Sequence, residues 1–343
     1  MSPTATSHPT SGVVSVAVPA RAALAGNPSD GHGGAVVATV VPSVAATVTA
    51  RVTDRFELGG GWSHGSIGEL RNRLDAGARH DGARHDGERQ DGEQSLVAAA
   101  LITLHRHLGA EPAPVRVDVH STIPRSVGLA GSSAIVIAAM RAVAELHPTE
   151  PWGRSLSDPE LLASLALAAE RDVLGIAAGL QDRVVQSFGG TVAMEFGDAA
   201  MHRIAGLEVG TYRPLGALPD GLFVAYRPDT AGDSGAVHGA VDPTDAAVKA
   251  AMQRAAVAAR TAAAAIDAGD ACALGAAMDQ TFDQRAAVMD LDHRHVEMVE
   301  VARANGASAN YTGSGGAVVV LADDDRAVRA LERNGCRILT LCA

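Results

Sequence analysis

The segment Ser121–Val143, with the sequence STIPRSVGLAGSSAIVIAAMRAV, decides the fold. Before it, Val115, Val117 and Val119 alternate with polar residues, which is the period of a half-buried strand. After its glycine and serine turn, apolar residues recur at helical spacing as far as Leu146. A strand, a glycine-rich turn and a helix in this order leave backbone amides and the positive end of a helix dipole at one point. The segment therefore predicts an anion-binding loop.

The residues of this loop, 124–133, also allow a simpler interpretation. Glycine lets the backbone approach a ligand closely, and Ser132 and Ser133 offer hydroxyls to a phosphate or a magnesium ion. An ordinary turn with serine caps at the start of a helix uses the same residue types. Taken alone, the residues favour the turn, because short glycine and serine motifs often arise by chance.

The composition excludes several classes of protein. The chain has 343 residues, enough for two domains, and is 47% hydrophobic but only 3% aromatic. The scarcity of aromatic side chains and the net charge of −11 argue against a nucleic-acid partner. Lys249 is the only lysine among 28 basic residues and follows no glycine-rich turn, so a Walker A loop is absent.

The cysteine pattern and the hydropathy predict a cytoplasmic protein. The three cysteines have neither the spacing of a zinc site nor the even number of a disulfide framework. No apolar run predicts a membrane span, and the first residues lack the pattern of a signal peptide. We expect a monomer or a homodimer that binds no membrane.

The order of predicted strands and helices indicates an α+β protein with two domains. Residues 1–11 are rich in Ser, Thr and Pro and predict a disordered tail. The repeated unit GARHD, GARHD, GERQD, GEQS predicts a low-complexity surface loop inserted at 77–95. A break in the pattern at 206–219 places the domain boundary near residue 210. We therefore expect an N-terminal domain at 12–210 and a C-terminal domain at 211–343.

Three motifs, in order along the chain, resemble those of the GHMP kinases (galactokinase, homoserine kinase, mevalonate kinase and relatives). Pro124–Ala134 resembles the phosphate-binding motif PxxxGLxSSA of that family. ARAALAGNPSDGHGG at Ala20–Gly34 is similar to the first motif, and NYTGSGGAVVV at Asn310–Val320 to the third. The resemblance implies an N-terminal domain like domain 2 of ribosomal protein S5 and a ferredoxin-like C-terminal domain. It also implies an enzyme that uses ATP and Mg²⁺.

Two departures from the common motifs narrow the resemblance. GLAGSSA is one residue longer than GLGSSA, and GNPSD stands where many members have GEH. Together with GLQDRVVQSFGG at Gly179–Gly190, these features are similar to plant-type glucuronokinases. The resemblance implies phosphoryl transfer from ATP to a sugar hydroxyl, with glucuronate giving glucuronate 1-phosphate as first choice. The alternatives are another acceptor (a neutral sugar, a heptose phosphate or mevalonate), a non-catalytic nucleotide- or sugar-binding homologue, and an ATP-dependent decarboxylase.

The resemblance also implies which residues bind ATP and Mg²⁺. The ATP-binding residues come from the central and third motifs and are Pro124, Gly128, Leu129, Ala130, Gly131, Ser132, Ser133, Ala134, Gly313, Ser314 and Gly315. The implied magnesium ligands are Glu170 and one of the two serines, with Ser133 preferred. From its residue type alone, Glu170 predicts a solvated helix charge paired with Arg171 or Asp172.

By the same resemblance, Asp182 and Arg21 are the catalytic residues. The Asp182 carboxylate accepts the proton of the attacking hydroxyl or only orients that hydroxyl, and the sequence does not separate the two. A positive charge at Arg21 favours the developing alkoxide. From residue type alone, Asp182 is predicted to cap the N-terminus of a helix. Arg21 is predicted to be a surface cation at the end of a strand.

The sugar contacts are implied at Asn27 and Asp30, two turn residues whose default role is local hydrogen bonding. A uronate also needs a partner for its carboxylate, and the planar fork of an arginine suits it. Arg183 is the first candidate, followed by Arg125 and Arg285. A salt bridge to a neighbouring carboxylate is the alternative role for Arg183.

Overall fold

A computed structural model of the chain describes residues 12–80, 92–109, 112–147, 156–230 and 242–341. The predicted tail, residues 1–11, lies outside them.

The chain forms two compact units, and both are discontinuous in sequence. The first unit consists of Met1–Val18, Ala46–Ser121 and Ser132–Ala178, and the second of Pro19–Ala45, Thr122–Gly131 and Gly179–Ala343. This grouping by compactness does not test the domain boundary near residue 210, which stays a prediction.

The strands are numbered in chain order through the described residues. They are β1 (Val13–Ala25), β2 (Ala35–Val52), β3 (Phe56–Glu57), β4 (Ser63–His64), β5 (Val115–Ser121), β6 (Val192–Glu195), β7 (His202–Ile204), β8 (Leu207–Val209), β9 (Thr211–Pro214), β10 (Leu222–Tyr226), β11 (Ser308–Tyr311), β12 (Ala317–Leu321) and β13 (Arg337–Thr340).

The helices are numbered in the same way. They are α1 (Ile67–His80), α2 (Gly92–Leu108), α3 (Gly131–Leu146), α4 (Pro159–Ala168), α5 (Leu180–Phe188), α6 (Ala246–Ala268), α7 (Ala271–Ala286), α8 (His293–Ala304) and α9 (Arg326–Arg333). A π-helical turn, Ala169–Val173, follows α4 directly. Within the part of the chain that the structure describes, no helix has the length and apolar character needed to cross a membrane.

In the first unit, helices pack beside a small sheet. Residues 46–52 of β2 pair antiparallel with β5, β3 pairs parallel with β5, and β4 pairs with β3. The alternation at the start of β5 is confirmed, because Val115 and Val117 are buried while Arg116 and Asp118, which follow them in turn, are exposed. Helix α2 contacts α1, α4 and the π-helical turn.

In the second unit, residues 35–38 of β2 pair antiparallel with β6, and β6 pairs antiparallel with β9. The last four strands form a separate antiparallel sheet in the order β11, β12, β10, β13. Helices α7 and α8 both contact β11, and α9 contacts α8. The ferredoxin-like arrangement that was predicted is formed by β10, the helices α6–α8, the strands β11 and β12, α9 and β13 in chain order.

Two segments differ from the sequence-based expectation. Residues 77–80 and 92–95 end α1 and begin α2, so the two ends of the predicted surface loop are helical. The middle of that loop, 81–91, lies outside the described residues. The expected break at 206–219 contains β8 and β9, and Ala205 and Gly206 join β7 to β8 with φ of 50° and 83°. These strands of three or four residues are too short to give a clear hydrophobic period.

The N-cap of α6 gives a test of how local sequence stabilises this fold. The Asp245 carboxylate accepts hydrogen bonds from the N–H groups of Ala247 at 2.6 Å and Val248 at 3.4 Å. We expect Asp245→Ala to lower the free energy of unfolding by about 1 kcal/mol, because these two N–H groups lose their acceptor. We expect Asp245→Asn to lower it by less than about 0.5 kcal/mol, because its side-chain oxygen still caps. Urea denaturation of both variants measures the difference, and equal losses would contradict the capping role.

Candidate active site

The guanidinium of Arg21, on β1, joins three segments of the second unit that are far apart in sequence. Its Nε donates to Oδ1 of Asp182 at 2.6 Å, and its Nη1 donates to the carbonyl oxygen of Gly128 at 2.9 Å and to that of Thr312. Arg21 is only 6% exposed. It is therefore a buried connector and not a surface cation at a strand end.

Further hydrogen bonds fix the same junction. The Arg21 N–H donates to the carbonyl oxygen of Leu129 at 3.3 Å, and the Ala23 N–H donates to that of Thr312 at 2.9 Å. The Thr312 hydroxyl donates to the Gly128 carbonyl oxygen at 3.2 Å. The first, central and third motifs are thus held together by direct contacts. Sequence reasoning did not single out Thr312, although it lies within the third motif.

The central loop approaches the third motif as closely as a glycine allows. Gly128 has a φ of 72°, and a Cβ there would lie 2.9 Å from the carbonyl oxygen of Gly315 and 3.1 Å from the nitrogen of Ser314. Gln186, on α5, supports the loop from another side: its Nε2 donates to the carbonyl oxygens of Ala130 at 2.9 Å and Pro19 at 3.0 Å. Sequence reasoning also missed Gln186, because a glutamine on a helix carries no distinctive signal.

The third-motif loop presents backbone donors that could bind an anion. The N–H groups of Gly313, Ser314 and Gly315 donate to no other residue in the described ranges. Backbone N–H groups without an internal acceptor, in a glycine-rich concavity, form a site for anionic oxygens. Of the residues that the sequence predicted for ATP, Pro124, Gly128–Gly131 and Gly313–Gly315 belong to this unit, while Ser132, Ser133 and Ala134 belong to the first unit. Their role in binding ATP stays a prediction.

The Asp182 carboxylate lies beside two arginines and remains open to solvent. Asp182 is in the first turn of α5, whose N-cap is Gly179, so it does not cap the helix. Its Oδ2 lies 3.6 Å from Nη1 of Arg183, and 23% of its side chain is exposed. Arg183 is buried, and its Nη1 also donates to the Gly179 carbonyl oxygen at 2.8 Å. An accessible carboxylate fixed by Arg21 is suited to bind a hydroxyl group.

The two predicted sugar contacts have different surroundings. Asn27 is buried: its Nδ2 donates to the Tyr311 carbonyl oxygen at 3.1 Å, and its Oδ1 accepts from Asn310 at 3.0 Å. Its amide thus links the first motif to the third. Asp30 lies in a short turn, and a Cβ on Gly179 would lie 3.2 Å from its Oδ2. The Asp30 carboxylate therefore lies beside the start of α5.

The predicted magnesium ligands Ser133 and Glu170 belong to the first unit, and both are fully buried. Glu170 lies in the π-helical turn, while Arg171 pairs with Asp172 in solvent at 2.9 Å. The prediction of a solvated charge at Glu170 was wrong. Among the described residues no group of three or more His, Cys, Asp or Glu side chains forms a metal cage. A hydroxyl and one carboxylate suit Mg²⁺, which uses few protein ligands and takes phosphate and water oxygens as well.

A second arginine binds the third motif from inside the unit. Arg285, on α7, is 1% exposed, and it donates from Nη1 to the Gly313 carbonyl oxygen at 2.6 Å and from Nη2 to the Ser314 carbonyl oxygen at 3.3 Å. Its guanidinium lies 5.0 Å from the centre of the Tyr311 ring. Burial lowers the pKa of Arg285 to about 10, so the group is still a cation at neutral pH. Arg125, the remaining candidate for a carboxylate, is exposed.

Comparison with known proteins assigns the family. Residues 95–190 match the model of the GHMP kinases N-terminal domain, and residues 262–338 match that of the GHMP kinases C-terminal domain. The chain is 30% identical over 331 residues to Glucuronokinase 1 from Arabidopsis thaliana, covering 93% of this chain and 87% of that protein. The chain belongs to the GHMP kinase family. It is also 36% identical over 225 residues to Probable glucuronokinase 2 from the same plant, covering 63% of this chain and 59% of that protein.

A solved GHMP kinase has the same fold. The crystal structure of Methanococcus jannaschii mevalonate kinase superposes with a TM-score of 0.71 at 16% identity, covering 96% of this chain and 98% of that one. The predicted two-domain GHMP kinase fold of α+β type is confirmed. GHMP kinases use ATP, generally with Mg²⁺, and this chain is an ATP-dependent phosphotransferase.

Proposed function

We propose that this GHMP kinase phosphorylates a sugar hydroxyl and that its acceptor is glucuronate, giving glucuronate 1-phosphate. The observation that carries the proposal is the ion pair between Arg21 and Asp182, which the glycine loops of the central and third motifs adjoin. Such an arrangement sets an acceptor hydroxyl next to a triphosphate. The choice of glucuronate is supported by the likeness to a glucuronokinase over 93% of the chain.

Phosphoryl transfer needs positioning and electrostatic stabilisation more than covalent chemistry. In our proposal, the N–H groups of Gly313, Ser314 and Gly315, together with the central loop, bind the phosphate oxygens. Asp182 accepts a hydrogen bond from the attacking hydroxyl and thereby aligns it, and the same carboxylate takes up its proton. Arg21 fixes Asp182 and places a positive charge near the developing alkoxide.

The magnesium role rests on the family resemblance and on the oxygen ligands that the chain offers. We propose Ser133 and Glu170 as those ligands. Mg²⁺, when bound, neutralises phosphate charge.

The uronate carboxylate requires a cation, and Arg183 is our candidate. It is next to Asp182 in sequence, and its Nη1 lies 3.6 Å from Oδ2 of Asp182. A carboxylate on the acceptor would gain a charge-assisted hydrogen bond that a neutral sugar does not form. Arg183 would then determine specificity, while Asp182 serves any acceptor hydroxyl.

The proposal is tested by measuring ADP release with a panel of acceptors: glucuronate, galacturonate, galactose, a heptose phosphate and mevalonate. We expect the highest kcat/KM with glucuronate. A higher kcat/KM with another acceptor would support the assignment as a kinase but would show that glucuronate is not its preferred acceptor. ATP binding without turnover on any acceptor would indicate a non-catalytic homologue, and release of carbon dioxide would indicate a decarboxylase.

Loss of the Asp182 charge should affect the chemical step. We expect Asp182→Asn to lower kcat by at least about a hundredfold, the usual scale for loss of a general base, with nearly unchanged affinity for ATP. Asp267→Asn is the control, because Asp267 forms an exposed ion pair with Arg213 at 2.9 Å. Its kcat should equal that of the wild type. A wild-type kcat in Asp182→Asn would remove this carboxylate from the mechanism.

Loss of the Arg183 cation should affect recognition of the acid. We expect Arg183→Met to raise KM for glucuronate by at least about tenfold more than KM for glucose, because only glucuronate loses a charged partner. Arg213→Met, on the exposed pair, is the control and should change neither KM. Equal changes in the two KM values would show that Arg183 does not contact the carboxylate.

A further inference from the structure

We propose that Arg285 is a positioning residue for ATP: it binds the third-motif loop by its carbonyl oxygens and so directs the N–H groups of that loop toward the nucleotide phosphates. Its guanidinium reaches the Gly313 and Ser314 carbonyl oxygens from α7. The inference rests on the proposed function, since it assumes that this loop binds the phosphates.

The geometry of the peptide group supplies the first argument. The carbonyl oxygen of Gly313 and the N–H of Ser314 belong to one trans peptide and point in opposite directions. The same holds for the carbonyl oxygen of Ser314 and the N–H of Gly315. When Arg285 binds both carbonyl oxygens, both N–H groups are therefore directed away from it.

Gly128 of the central loop lies close to the nitrogen atoms of these two N–H groups. A Cβ on Gly128 would be 3.1 Å from the Ser314 nitrogen and 3.4 Å from the Gly315 nitrogen. Neither nitrogen donates to another residue in the described ranges. The side of the loop opposite Arg285 thus presents unused donors to the motif that the family uses for phosphate.

The burial of Arg285 supplies the second argument. A buried cation is unfavourable unless it is hydrogen-bonded or paired. No carboxylate of the described residues lies within ion-pair distance of Arg285, so the two loop carbonyl oxygens are its main acceptors. Burial is also the largest influence on the pKa of Arg285 and lowers it, while Tyr311 and then Asp30 raise it. The loop and the arginine therefore depend on each other.

Packing around Arg285 keeps the guanidinium in one place. The Tyr311 ring that it faces is itself packed edge-on against Phe282, with ring centres 5.3 Å apart. On the loop side, a Cβ at Gly315 would lie only 2.7 Å from Nδ1 of His295. The planar fork of arginine serves two carbonyl oxygens at once, which the single ammonium of lysine does less well.

The experiment compares Arg285→Met and Arg285→Lys with Arg303→Met. Arg303 is a matched control, because it also lies 5.0 Å from an aromatic ring, that of Phe282, and binds Asp279 and Asp283 of α7. It does not contact the third-motif loop. Calorimetry measures the Kd for ATP and for adenosine, and thermal unfolding measures stability.

We expect Arg285→Met to weaken ATP binding by at least about tenfold and to leave the Kd for adenosine unchanged, because only the phosphates contact the loop. Arg285→Lys should fall between Arg285→Met and the wild type. Arg303→Met should lower the unfolding temperature without changing the Kd for ATP.

Several results would overturn the inference. One is an ATP affinity in Arg285→Met equal to that of the wild type. Another is an equal loss of affinity for ATP and for adenosine in that variant. The third is a higher KM for an acidic acceptor in that variant while its ATP affinity is unchanged. If Arg285→Met does not fold, Arg285→Lys decides, and wild-type ATP affinity in that variant overturns the inference. Failure of the wild-type chain to bind ATP would overturn the proposed function itself. Measuring the wild type therefore distinguishes failure of the proposed function from failure of the inference about Arg285.

Discussion

The guanidinium of Arg21 is the group on which the candidate active site depends. It bridges a carboxylate and two carbonyl oxygens that lie 161, 107 and 291 residues away along the chain. A buried cation with three acceptors tolerates little displacement, because any lost contact leaves charge without compensation. The first, central and third motifs therefore keep one arrangement, and Asp182 is fixed relative to the glycine loops.

The second unit uses arginines in a consistent way. Arg21 binds the carbonyl oxygen of Gly128, and Arg285 binds those of Gly313 and Ser314. In both loops an arginine binds carbonyl oxygens, and in the third-motif loop the N–H groups of Gly313, Ser314 and Gly315 remain without an acceptor among the described residues. In our proposal, these two positively charged side chains support a site for a negatively charged ligand, and their positive potential behind the loops adds to the attraction.

The sequence predicted the parts that local pattern determines. The loop and helix at Gly128 and Gly131 follow from the glycine and serine spacing, whereas the ferredoxin-like arrangement after residue 221 was implied by the resemblance to the GHMP kinases. The pairing of Arg21 with Asp182 was not predicted, because single-sequence patterns do not show contacts across 161 residues. The buried position of Glu170 was missed for a related reason: glutamate is normally exposed, and nothing in its neighbours signals a π-helical turn. No available signal pointed to Gln186.

The path of the chain has a consequence for how this enzyme can change. The chain passes between the two compact units after residues 18, 45, 121, 131 and 178. No single cut releases either unit whole, so neither half can be exchanged between relatives as a contiguous block. We therefore expect the acceptor preference of this enzyme to change more readily by single substitutions than by exchange of a contiguous segment.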